Sequence, residues 1–380
     1  MKKNQLIAGL IVLAALVVLI VWGRDRIHFD FAVFRSQLAL ADWRKIGIAA
    51  ACIYIGYIFR SVRWALLLRH NKKVPLLSLL GTQVIGFTAV ALIGRIADPV
   101  RPYLVARKTG LPLSNQIAVY IVERLFDFGS MALIFSFAML WIPDVEIVNA
   151  SSHSGLVSAL MRHSPVSAAS IARYAGLAIT LLAALFLVAI RLAGGMVASF
   201  LEIAFGLISR KLGIAIAHKV KIFRSGLDIM RSFSDFGVTA SLSIAMWMLI
   251  TLAYLETIRA FKPLASATLP QCVLLMTASG GASVFQLPIV GWFSQIGIVA
   301  AAIYGFFGVA AEPATACAAT LLLVTFLSII PIGLVWAQFE HVSLRRIAAE
   351  SENAEENLAG EGFAGLEQAV QEQTGQEEEI

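Results

Sequence analysis

The feature that most constrains this chain is a run of ionisable residues lodged between apolar segments long enough to cross a bilayer. The stretch Gly94–Asp127, GRIADPVRPYLVARKTGLPLSNQIAVYIVERLFD, holds Arg95, Asp98, Arg101, Glu123, Arg124 and Asp127. A charge at the middle of a spanning helix costs about 2.5–3.5 kcal/mol on insertion scales. Such groups persist where they pair with one another or face a polar hollow. Composition agrees with a membrane setting, because the chain is 59% hydrophobic and 14% charged, whereas soluble domains are about 25% charged.

Hydropathy counts nine apolar segments, at 5–22, 46–68, 76–93, 114–140, 171–191, 237–258, 269–288, 290–309 and 314–337. Lys2-Lys3 precede the first run, which is too long and lacks the cleavage site of a signal peptide. Residues 24–45 mix both signs and read as an interfacial segment. The loop 142–170 has one basic residue, Arg162, while 193–236 has six, which places the second in the cytoplasm and the first outside. Residues 193–236 read as a cytoplasmic amphipathic helix pair.

Arg69, Lys72 and Lys73 share the cytoplasmic side with Arg107-Lys108, yet only 76–93 separates the two clusters. A re-entrant pair resolves this: 76–93 dips in, breaks at Gly94–Pro99, and 100–106 returns. Pro99 and Pro102 oppose regular helix here. The second half repeats the plan around Pro288–Gly291 with opposite orientation, the pattern of an inverted repeat with a site at the midplane. The expectation is an all-α, polytopic membrane bundle of about 6–7 spanning helices plus two re-entrant broken pairs. Residues 1–340 form the membrane body. Residues 341–380 form an acidic tail, expected from about Glu350 to be disordered or a lone solvated helix, and both termini are placed in the cytoplasm.

Tyr120, Glu123 and Asp127 fall on one helical stripe, with Arg124 in reach of Asp127. Arg60 and Arg63, one turn apart on 46–68, offer forks suited to phosphate oxygens. Arg95, Asp98 and Arg101 bracket the break, where unpaired N–H groups favour an anion. Each group also has a plainer reading: an internal salt bridge fixing register, arginines snorkelling to the interface, and a surface loop. From Glu340 onward eleven acidic residues face two basic ones, which leaves the body at +15. That excess suits anionic lipid headgroups better than nucleic acid, since the cations are spread among apolar segments. The three cysteines and six histidines show no ligand spacing, so neither a metal nor a cofactor is expected.

The order YIFRSVRWALLL, then GRIADPVRPYLVARKTGLPLS, then VERLFD resembles the transmembrane region of the lysylphosphatidylglycerol synthase/flippase family, over roughly residues 5–340. The family usually has Gly-Glu where this chain has Ala97-Asp98. In its second half it shows P-x-x-G-G-x-G followed by a Glu, where this chain reads Pro288-Ile-Val-Gly291-Trp292-Phe-Ser294-Gln295. The resemblance implies a multi-pass protein of the cytoplasmic (inner) membrane that binds an anionic phospholipid or lipid-linked substrate and moves it across. The full-length synthases have a soluble aminoacyl-transferase domain after the membrane part. Here an acidic stretch stands in that place, so aminoacylation by this chain alone is not expected. Two alternatives stay open: an embedded transferase or hydrolase using Glu123 or Asp127 as general base, and a non-catalytic subunit that recruits a soluble enzyme. Self-association into a homo-oligomer is a further option.

Overall fold

The computed structural model describes residues 29–69, 71–140, 233–282, 290–344 and 346–354. The expected helices at 5–22 and 171–191, the loop 142–170, nearly all of 193–236, the Pro288 break and residues 355–380 lie outside these. Every regular element among the described residues is helical. In a bilayer that follows from the backbone, whose polar groups must be satisfied within each segment.

α1 (Phe31–Ala39) is a short helix capped by Asp30, whose carboxylate accepts from the amides of Ala32 and Val33. α2 (Trp43–Leu68) and α3 (Leu76–Ile93) follow. Gly94, at φ 95°, stops α3 in backbone geometry that a side chain would strain. A 3₁₀ turn at Arg95–Ala97 then leads into α4 (Val100–Thr109), which ends on Gly110 in the left-handed region, φ 69°. Pro102 does not prevent helix, as its sequence reading implied. It occupies the first turn of α4, where no backbone N–H is needed. α5 (Leu113–Leu140), α6 (Phe233–Arg259), α7 (Leu269–Ala282) and α8 (Val290–Phe307) come next. α9 (Ala311–Leu322) runs through a π-helical stretch, Leu323–Leu327, into α10 (Ile329–Phe339). Pro331 lacks the amide that would bond to the Leu327 carbonyl, which explains why the ladder is irregular just there.

Four described helices are long and apolar enough to span: α2, α3, α6 and the α9–α10 unit. α5 has 28 residues, roughly 42 Å of helix, and also bears the Glu123–Asp127 charges. The outward faces are apolar: α2 presents Ile48, Ile55 and Ile58, and α5 presents Phe128 and Phe137. Water would not tolerate so much apolar surface on a monomer, whereas lipid tails match it.

α4 does return toward the start of α3. The Lys72 ammonium donates to the Thr109 carbonyl at 2.6 Å, and the Lys108 ammonium to the Ser78 carbonyl at 3.3 Å. Arg69, Lys72, Arg107 and Lys108 thus mark one basic end of the bundle. α2 and α6 pair antiparallel along their length: the Asp42 amide bonds the Ala260 carbonyl, Arg63 meets Ser243, and Arg69 meets Asp235. Around that pair the packing repeats. α3 packs on α2 and α4 as α7 packs on α6 and α8; α4 meets α5 as α8 meets α9; α3 meets α10 as α7 meets α5. Exchanging the halves maps one set of neighbours onto the other, which is the arrangement of an inverted repeat.

After α10, residues 346–354 lie back along α4. His341 adopts φ 52°, and a helix at 346–354 buries Ile347 and Ala348 in a cluster with Val100 and Leu104 of α4, while the buried Ser351 hydroxyl donates to the Ala348 carbonyl at 2.9 Å.

Candidate functional site

Two helix stripes meet to build the site. On α2, Arg60 and Arg63 lie one turn apart; on α5, Glu123 and Asp127 lie one turn apart; the two stripes face each other. Arg63, 1% exposed, donates from one guanidinium nitrogen to Glu123 at 2.7 Å and from another to Asp127 at 2.7 Å and Ser243 at 2.6 Å. Arg60 reaches Asp127 at 3.3 Å and Glu123 at 3.7 Å. Arg101 arrives from α4 and donates to Gln83 at 3.1 Å and to Glu123 at 3.3 Å. Its guanidinium lies over the rings of Phe87 (4.5 Å) and Tyr120 (5.0 Å), a cation–π setting. Arg124 packs on Tyr120 at 5.0 Å and approaches Asp127 at 3.7 Å. The indole of Trp247 donates to Asp127 at 3.3 Å.

Both oxygens of each carboxylate are therefore engaged. Four guanidinium groups surround two carboxylates, an excess of two positive charges, with Arg63, Arg101 and both carboxylates buried and the Arg124 side chain 30% exposed. The cations also keep donors without acceptors: Nε and Nη2 of Arg101 and of Arg124, and Nε of Arg63, are buried and unbonded. Buried donors lacking a partner cost about 1–3 kcal/mol each, more when charged. An oxyanion entering beside Arg124 would relieve that cost there and offset the charge.

A cavity of about 240 Å³ lies next to this cluster, on the seam between the two halves. Its charged wall is Arg60, Arg95, Asp98 and Arg124; its neutral wall includes Tyr254, Ser279, Gln295 and Thr325. Tyr254 donates to Ser279 at 2.9 Å and Gln295 to Ser279 at 3.4 Å, so among the described residues the second half contributes hydroxyls and an amide, and no carboxylate, to this wall. Thr325 sits in the π-helical stretch, which brings that irregularity to the cavity wall.

The residues singled out from the sequence thus divide into three. Arg60, Arg63, Arg101, Glu123, Arg124 and Asp127 form one network, with Tyr120 as a platform beneath two of the arginines. Within it Arg63 and Arg101 stand behind the carboxylates, away from the cavity, while Arg60 and Arg124 reach the wall. Arg95 and Asp98 pair at 3.9 Å on the turn and line the cavity without touching the carboxylates. Gln83, Phe87, Ser243 and Trp247 were not singled out. Gln83, a lone amide in an otherwise apolar span, was the one among them with a visible signal. The described residues hold no cluster of His, Cys, Asp and Glu able to ligate a metal.

Among curated proteins, none matches the chain. The family model of the lysylphosphatidylglycerol synthase TM region matches residues 6–333, nearly the whole membrane body. The chain belongs to the lysylphosphatidylglycerol synthase transmembrane-region family, membrane proteins linked to lipid handling.

Proposed function

We propose that this protein binds the phosphate of an anionic phospholipid or lipid-linked substrate in the central cavity and passes it across the cytoplasmic membrane, with the basic end inside. The observation behind this reading is the excess of two positive charges around Glu123 and Asp127, with the unbonded donors of Arg124 beside a cavity at the seam of two inverted halves. Arg60 and Arg124 would meet the phosphate. Arg63 and Arg101 would hold Glu123 and Asp127 so that those carboxylates keep the exposed arginines in place. Lys/Arg bias supports the orientation.

A role for Glu123 or Asp127 as general base is less well supported. Each has both oxygens committed to guanidinium groups, which leaves little capacity to take a proton from a substrate.

The test is movement of fluorescent phosphatidylglycerol between leaflets of vesicles containing the purified protein. Wild type should accelerate it, and Arg124→Gln and Arg60→Gln should each slow it by about tenfold or more, the worth of one charged hydrogen bond. Unchanged movement in both variants, with helix content intact by circular dichroism, would overturn the assignment.

A further inference from the structure

A second hollow, about 440 Å³, opens on the other side of the Arg95–Asp98 turn, between α4 and α5. Pro99 and Pro102 form its α4 wall, Ile117 and Tyr120 its α5 wall, and Glu352 comes in from the 346–354 helix. Arg95 and Asp98 line this groove and the central cavity alike. Tyr120, on the groove side, is the ring on which Arg101 and Arg124 rest. One turn of chain and one aromatic ring therefore stand between the groove and the cationic cluster.

Glu352 is exposed, yet its position is fixed. Ile347 and Ser351 of the same helix are 2% and 1% exposed. Glu350 accepts from the Tyr103 hydroxyl at 3.2 Å and lies 3.9 Å from Arg107, both on α4. The 346–354 helix thus clasps α4 and sets a carboxylate into the groove that Arg95 lines.

We infer that the α4–α5 groove is the side portal through which an anionic headgroup reaches the central cavity, with Arg95 as the contact shared by both and Glu352 as a built-in gate. The carboxylate occupies the approach, repels a second anion, and must yield for one to pass. The nature of the cargo rests on the function proposed above; the portal and its gate do not depend on transport taking place.

The full chain in lipid nanodiscs, with Ile117→Cys as reporter, tests this directly. The native Cys52, Cys272 and Cys317 are buried and give low background. Labelling rates are compared for an anionic sulfonatoethyl and a cationic trimethylammonioethyl thiosulfonate reagent. Glu352→Gln should raise the anionic rate roughly three- to tenfold without raising the cationic one. Glu350→Gln, which loosens the clasp, should raise both. An anionic-to-cationic ratio unaffected by Glu352→Gln would overturn the gate. In vesicles, Glu352→Gln should also speed movement of anionic but not zwitterionic lipid. If wild type moves no lipid while the labelling ratio still responds to Glu352, the transport reading fails and the portal stands.

Discussion

The stem of Arg101 runs through the space that a Cβ on Gly86 would fill. A methyl built there collides with the Arg101 Cγ and lies 3.1 Å from its Cδ. The α3–α4 hairpin closes on an arginine only because the opposing residue has no side chain. Gly86→Ala gains about 1 kcal/mol of helix propensity. It should nevertheless destabilise by about 1–3 kcal/mol, as overpacking of a tight contact does. Arg101 would be pushed from Glu123, and anionic-lipid binding should weaken with it. Thermal unfolding in detergent together with a lipid-binding isotherm measures both. A stabilised variant that binds normally would show that the Arg101 position does not matter.

Arg63 and Arg60 share the same carboxylates but differ in burial. Arg63 is sealed from solvent and makes the three short bonds; Arg60 has a side chain 11% exposed and longer contacts. Removing Arg63 strips Glu123, Asp127 and Ser243 of their shortest hydrogen bonds, and a buried polar group left short of a partner costs about 1–3 kcal/mol. Arg63→Met should therefore unfold at markedly lower temperature than Arg60→Met, and Arg60→Met should act mainly on anion binding. If both lower the unfolding midpoint equally, the division into clamp and contact is wrong.

Much of this was legible before the fold was known, for reasons that differ by residue. Apolar runs at 46–68, 76–93, 114–140, 237–258 and 314–337 each fall within helices because a buried backbone of that length has no other way to bond itself. The break at Gly94 was legible because only glycine takes φ 95° without strain. The arginine pair at 60 and 63 and the carboxylates at 123 and 127 fall on helical stripes that simple spacing reveals. That the two stripes face each other is a tertiary fact between helices some 60 residues apart, which spacing does not contain. Ser243 and Trp247 looked like any polar or aromatic residue in an apolar span. Nor did the acidic composition after Glu340 announce that Ile347 and Ala348 dock against α4; two adjacent small or apolar residues among charges give no periodic signal.

Gly333 on α10 packs against α3 as closely as Gly86 packs against Arg101. A Cβ there would strike the Thr88 side chain and come to 3.0 Å from the Val84 carbonyl oxygen. Small residues of this kind let helix backbones approach in a medium where lipid tails are as apolar as leucine. Gly333→Ala should cost about 1–3 kcal/mol. Gly129→Ala and Gly297→Ala, where a Cβ meets nothing within 4 Å, should be neutral or gain up to about 1 kcal/mol. Unfolding midpoints of the three variants measure this. Equal effects at all three positions would remove the argument for a close α3–α10 contact.

The clasp over α4 should respond to acid. Glu350 is solvent-accessible, and the hydrogen bond from Arg346, at 2.8 Å, is the main cause holding its carboxyl below its ordinary value; the Tyr103 hydroxyl adds to this. A carboxylate depressed in the folded state stabilises its contacts fully above the unfolded value, about 4.3 for glutamate, and loses that contribution as pH falls through the lower folded value. The 346–354 helix should therefore stay docked through neutral and mildly acidic pH and loosen only beneath the usual carboxylate range. Arg346→Ala removes the leading cause, so release should begin at higher pH. A nitroxide at Asn353→Cys reports this as a rise in mobility on acidification, seen earlier in the Arg346→Ala background. Should both proteins release at the same pH, Arg346 does not set the titration of Glu350, and the clasp is held by the burial of Ile347 and Ala348 alone.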